Sequence, residues 1–118
     1  MIPYEFILDF LYPLPFRTKK MFGTVAIYAG PKIVLAVRQR EENPIDNGIW
    51  ISIQLENQNE LKRSFPSLRN LETYKIRTWL LLPETANDFE ETAKAIAEMI
   101  KANSPLIGTV PKPKKYKG

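Results

Sequence analysis

Apolar residues recur along this chain with two different periods, and each change of period marks a change of element. Phe89, Ala93, Ile96 and Ile100 follow one another at intervals of four, three and four, the stripe of one helix face. Asp88, Glu90 and Glu91 lie in the first turn of that helix and Lys101 in its last, as the helix dipole favours. Phe6, Ile7, Phe10 and Leu11 repeat the helical spacing near the start of the chain. They predict a first helix from Pro3, whose missing N–H suits a first turn, to Tyr12, where Pro13 and Pro15 stop it.

Between these helices the period is two. Met21–Ala29 and Lys32–Arg38 are rich in strand formers and flank Gly30-Pro31, which reads as a β-hairpin. The polar run 41–48 predicts a loop. In 49–56, Ile49, Ile51, Ile53 and Leu55 alternate with Trp50, Ser52, Gln54 and Glu56. Asn57 and Glu60 have capping-box spacing for a short helix that ends near Phe65, before Pro66. A last strand is expected over Tyr74–Leu82, whole or broken near 74–77. It places Ile76, Thr78, Leu80 and Leu82 on one face and Lys75, Arg77, Trp79 and Leu81 on the other.

The order predicts an α+β fold. An antiparallel sheet of about five strands is flanked on one face by an N-terminal helix, a short middle helix and a long C-terminal helix. Residues 1–110 form one domain in this reading, and 111–118 a basic, disordered tail.

Composition narrows the chemistry. The chain of 118 residues contains neither Cys nor His, which removes thiolate and zinc-thiolate chemistry, the commonest general base and the commonest metal ligand. No nucleophile stands beside an identifiable base, so no enzyme and no cofactor is expected. Glu84, Asp88, Glu90 and Glu91 read as dipole-complementing residues at a helix start, and Glu41, Glu42 and Asp46 lack calcium-loop spacing. The apolar N-terminus is interrupted by Glu5 and Asp9, which argues against a targeting segment and for a cytoplasmic, membrane-free protein.

The net charge of +4 is unevenly placed. Setting aside the four lysines of 112–118 leaves 13 basic and 13 acidic residues. Within that neutral body, residues 17–77 carry 11 basic against 6 acidic side chains.

Met21-Phe22-Gly23, followed by a short strand, a Gly turn and a second apolar strand, resembles the N-terminal domain of the TfoX family. Phe65-Pro66, the basic-aromatic Lys75-Ile76-Arg77-Thr78-Trp79 and the closing Val110-Pro111-Lys112 resemble the related YjbR/MmcQ-like proteins. The resemblance covers most of 17–112 and implies an α+β domain of the kind compared with double-wing DNA-binding folds, in a regulatory setting. Thr24 stands where a second Gly is usual, and Thr78 where a His often precedes the Trp, so no role of that His carries over.

On the face opposite the aliphatic residues the pattern collects Trp50, Trp79, Lys75 and Arg77, with Tyr28 and Arg38 able to join them. Such a surface suits nucleic acid, with bases stacked on indoles and phosphates held by cations. It equally suits a protein partner, because Trp, Tyr and Arg dominate interface hot spots. In the remaining alternative the two indoles pack against each other under cationic stems. Arg17, Lys19 and Lys20 are further phosphate ligands or a solvated connection. The expected nucleic-acid-binding residues are thus Arg17, Lys19, Lys20, Arg38, Trp50, Lys75, Arg77 and Trp79, and the alternative is a protein-interaction adaptor on the same surface.

Overall fold

The computed structural model describes residues 2–21, 23–74 and 76–110. The expected tail at 111–118, and the motif residues Phe22, Lys75, Pro111 and Lys112, lie outside the described residues. The elements are α1 (Phe6–Leu11), β1 (Arg17–Met21), β2 (Thr24–Ala29), β3 (Lys32–Arg38), β4 (Gly48–Ser52), α2 (Leu55–Ser64), β5 (Arg69–Asn70), β6 (Trp79–Pro83) and α3 (Phe89–Lys101). A single 3-10 turn, Pro44–Asp46, precedes β4. The fold is α+β, with six strands in the order β1-β2-β3-β4-β6-β5 and every pairing antiparallel.

Alternation sends Ile27, Leu35, Val37, Ile49, Ile51, Leu80 and Leu82 to one face of the sheet, where they form the main core. The helices cover that face: Ile7 and Leu11 of α1, Leu61 of α2, and Ala93, Ile96, Ala97 and Ile100 of α3 belong to the same cluster. Each fully buried Leu or Ile there stabilises the fold by roughly 1.5–3 kcal/mol before entropy is counted. A bulge sharpens this asymmetry. Ile27 pairs with Leu35 and Tyr28 with Ile33, so Val34 has no partner and joins Leu35 in the main core, while Ile33 turns to the other face.

Gly48 explains how β4 and β6 approach. Its φ is +146°, and a Cβ there would sit 2.2 Å from the Leu82 carbonyl oxygen, so only glycine fits. At the other end of β4 the strands splay, and residues 107–109 fill the gap. Gly108 N–H donates to Ser52 O at 2.7 Å, and Thr109 bridges to Ile33.

Four details differ from the sequence reading. Residues 17–21 form a strand rather than a connection. The first helix begins at Phe6, three residues after Pro3. The middle helix begins at Leu55, with Gln54 as N-cap and no side-chain cap, so Asn57 and Glu60 form no capping box. Leu55 is correspondingly exposed instead of extending the aliphatic face. Buried Gln58 fixes this start, since its amide donates to Ile53 O and Arg77 O and ties the helix to the approach to β6. Finally, only Trp79–Pro83 of the expected last strand is strand, preceded by the short β5 and an irregular segment.

Candidate functional site

No helix among the described residues covers the second face of the sheet. Its cluster consists of Ala26, Ile33, Ala36, Trp50, Trp79 and Leu81, with Met21, Tyr28, Leu71 and Tyr74 packed against it. The register sets Lys19, Ala26, Ala36, Trp50, Leu81 and Arg69 in one row across all six strands. A cation thus stands on each edge strand, and the two short alanines adjoin the first indole. Ser52 pairs with Trp79, which places the second indole beside the first. The rings meet edge to face, centroids 5.9 Å apart and planes 64° apart, and Tyr74 lies 5.6 Å from Trp50.

The segment 71–74 crosses this cluster as a strap, and the Asp46-Asn47 pair holds it. The Asp46 carboxylate is fully buried and accepts the Glu72 and Thr73 amides at 2.9 and 2.7 Å. Burial works to raise the Asp46 pKa. The amide bonds from Glu72, Thr73 and Tyr74, with the Arg69 charge, outweigh it and hold the pKa below the ordinary carboxylate value. The Asp46 carbonyl takes the Trp50 Nε1–H at 2.9 Å. Asn47 Oδ1 accepts from Arg38 at 2.7 Å and from the Arg40 amide at 3.0 Å. A turn read from sequence as a loop tip is therefore an internal fastening.

This geometry corrects the expected binding surface at four positions. Trp50 and Trp79 are only 4% and 7% exposed, so they form no open stacking platform; the mutual packing of indoles is the alternative that holds. Arg38 is 1% exposed, its guanidinium donating to Asn43 O, Glu42 O, Asn47 Oδ1 and Tyr74 Oη, and it cannot reach a phosphate. It does share the helix-free side with Tyr28, but as structure. Arg77 is exposed in the irregular segment rather than on a strand face beside Trp79, and Lys75 lies outside the described residues. Ile76, assigned by alternation to the aliphatic core, is 46% exposed on the opposite side.

Of the expected cations, Arg77 is exposed ahead of β6, and Arg17, Lys19 and Lys20 are exposed on β1. Arg17 and Lys19 share the helix-free face with Met21, whereas Lys20 turns to the other side. Arg17 lies over the Tyr28 ring at 4.4 Å. Among the described residues none of the three forms an ion pair. The acidic residues at the start of α3 are engaged locally: Glu84 accepts from Tyr4 Oη, and Asp88 from Ser67 and Thr92. Burial and the Glu84 bond push the Tyr4 phenol upward, while the Ser67 and Thr92 bonds lower Asp88. No three His, Cys, Asp or Glu side chains among the described residues cluster as a metal site requires.

Between the β1–β2 hairpin and the indoles the face opens into a recess of about 330 Å³, lined by Met21, Thr24, Trp50, Tyr74, Ile76 and Trp79. Three of its four side-chain polar groups are turned into the protein, and the fourth, the Trp79 indole N–H, has no partner among the described residues. Thr24 Oγ1 donates to Met21 O, Trp50 Nε1 to Asp46 O, and Tyr74 Oη accepts from Arg38. What the recess offers a visitor is therefore mostly hydrocarbon and ring surface with one indole donor, and Arg17 and Lys19 lie on the same face. Sequence reasoning missed Met21, Thr24, Tyr74 and Ile76 as lining. Met21 and Thr24 had a signal, through their place around Gly23, whose φ of +78° closes the β1–β2 turn. No helix among the described residues is long and apolar enough to cross a membrane. No protein-family model matches the chain, nor does any curated protein or solved structure.

Proposed function

We propose that this chain is a non-catalytic binding domain that docks a protein partner on the helix-free face of its sheet. An apolar side chain of the partner enters the recess, and carboxylates beside it meet Arg17 and Lys19. The observation that carries this reading is the recess itself: its lining is mostly ring and hydrocarbon, most of its polar groups bond within the protein, and Arg17 and Lys19 on its face form no ion pair among the described residues. Buried aromatic side chains beside exposed arginine are the composition of interface hot spots. The resemblance to the TfoX family supports a regulatory setting.

A second reading, nucleic-acid binding, draws on the exposed basic strand Arg17–Met21. Arg17, Lys19 and Lys20 would hold backbone phosphates without base stacking by Trp50 and Trp79, giving steeply salt-dependent and sequence-tolerant binding.

One titration series separates the two. Indole emission and probe anisotropy are followed with a labelled peptide of leucine among glutamates, its lysine counterpart, and short single- and double-stranded DNA, each at low and physiological salt. Docking in the recess requires the acidic peptide to shift indole emission and to lose about tenfold in affinity on Ile76→Glu. DNA binding that leaves the emission unchanged and disappears on Lys19→Glu/Lys20→Glu would establish the second reading. A protein that binds none of these probes refutes both.

A further inference from the structure

β1 is the outer strand of the sheet at the end where the recess opens. Four of its five residues are exposed, and in an antiparallel edge every second residue turns its N–H and C=O away from the sheet. Such an edge is a template for another strand. Its side chains decide which strand is admitted, and here three of five are cations.

We propose that β1 receives an extended acidic segment of a protein partner by strand addition, making that segment the seventh strand of the sheet. The inference rests on the reading that the helix-free face binds protein, and it specifies the partner's conformation and charge. Positive charge on an edge disfavours pairing with a second copy of the same strand, because Arg17, Lys19 and Lys20 would face their own equivalents. The same three charges favour a segment with carboxylates at the cross-strand positions. Alternation then dictates the partner's pattern. Residues beside Arg17 and Lys19 project on the recess face, those beside Thr18 and Lys20 on the other, so acidic side chains are called for on both. The residue beside Met21 projects on the recess face and is the one placed to reach across Met21 toward the indoles. A segment of about seven residues spans the strand and both its ends at roughly 3.4 Å per residue. Backbone hydrogen bonds supply affinity, while carboxylates and one apolar anchor supply selectivity.

The test uses the intact protein and three synthetic peptides: a labelled peptide of consecutive glutamates, which puts carboxylates on both faces, with one leucine, and two versions N-methylated at its odd or its even amides. Methylation removes amide donors along one edge and leaves charge and side chains unchanged. Strand addition requires the parent to bind, one methylated form to lose at least about tenfold, and the other to bind within about twofold of the parent. If both methylated forms bind like the parent, or both weaken equally, strand addition is wrong while docking in the recess stands. If no peptide binds, both fall. Lys19→Glu/Lys20→Glu, which alters only exposed side chains, must weaken the parent peptide by about tenfold or more at low salt. Undiminished binding by that variant also overturns the proposal.

Discussion

The two faces of the sheet are built from the same six strands, yet they solve the problem of burial differently. On one face, aliphatic side chains meet three helices and form the main core. On the other, aromatic rings and alanines are roofed by a short strap held by hydrogen bonds to one buried carboxylate, and a recess remains. The first arrangement rests mainly on close contact between aliphatic side chains. The second depends on a few polar contacts that shape cannot replace, and it leaves a surface that can be occupied. The two faces are thus distinguished by what covers them, not by how apolar their strands are.

Four experiments sharpen or break this contrast. The largest effect belongs to the helix-covered face. Ile51→Ala, in the centre of the main core, is expected to cost about 3–4 kcal/mol in urea denaturation, because the cavity cannot collapse between paired strands and helices. Next is the fastening of the strap. Asp46→Asn removes the charge that three amides and Arg69 address, with an expected loss of about 2 kcal/mol at neutral pH. The sign of its pH dependence follows from the lowered pKa. The stabilisation is complete above the ordinary value of 3.8 and is lost as pH falls through the lower folded-state value. Acid titration of indole emission should therefore report an acid transition in the natural chain that Asp46→Asn flattens. An equal acid response in both would remove Asp46 from its role.

Smaller is Trp79→Phe, expected to cost about 1 kcal/mol, because a ring remains against Trp50 and only part of its area is given up. A loss as large as that of Ile51→Ala would mean that the two faces are equally close-packed. Smallest in stability is Ile76→Glu, expected within about 0.5 kcal/mol of the natural chain in the same denaturation, since the side chain is nearly half exposed. A strong destabilisation there would show the recess to be part of the core, leaving no room for a partner.

How much of this was readable depended on where each element finds its partners. The C-terminal helix was legible because Ala93, Ile96 and Ile100 repeat at helical spacing and are buried as that stripe requires. The hairpin expected over Met21–Ala29 and Lys32–Arg38 was legible from its strand formers and the Gly30-Pro31 turn, except that Met21 belongs to β1 and the second strand starts at Thr24. Strand β1 was not: four of its five residues are exposed on both sides of the sheet, so alternation carries no hydrophobic signal. The stretch 74–78 misled in the opposite sense. Its alternating side chains suit a strand, but the backbone just before it bonds to a carboxylate more than two dozen residues away. Such a long-range contact leaves no periodic trace. The pairing of Trp50 and Trp79 on one face followed from alternation, while their burial depended on Leu71 and Tyr74 arriving from outside the strands.

The contact between the two indoles also makes the molecule its own optical instrument. Rings 5.9 Å apart and inclined at 64° bring their absorption transitions close enough to couple, which produces a paired positive and negative band in circular dichroism. The amplitude of that pair depends on ring distance and angle, and both are set by the strap that crosses them. A partner that seats a side chain against the rings therefore writes its arrival into the ultraviolet spectrum of the unlabelled protein.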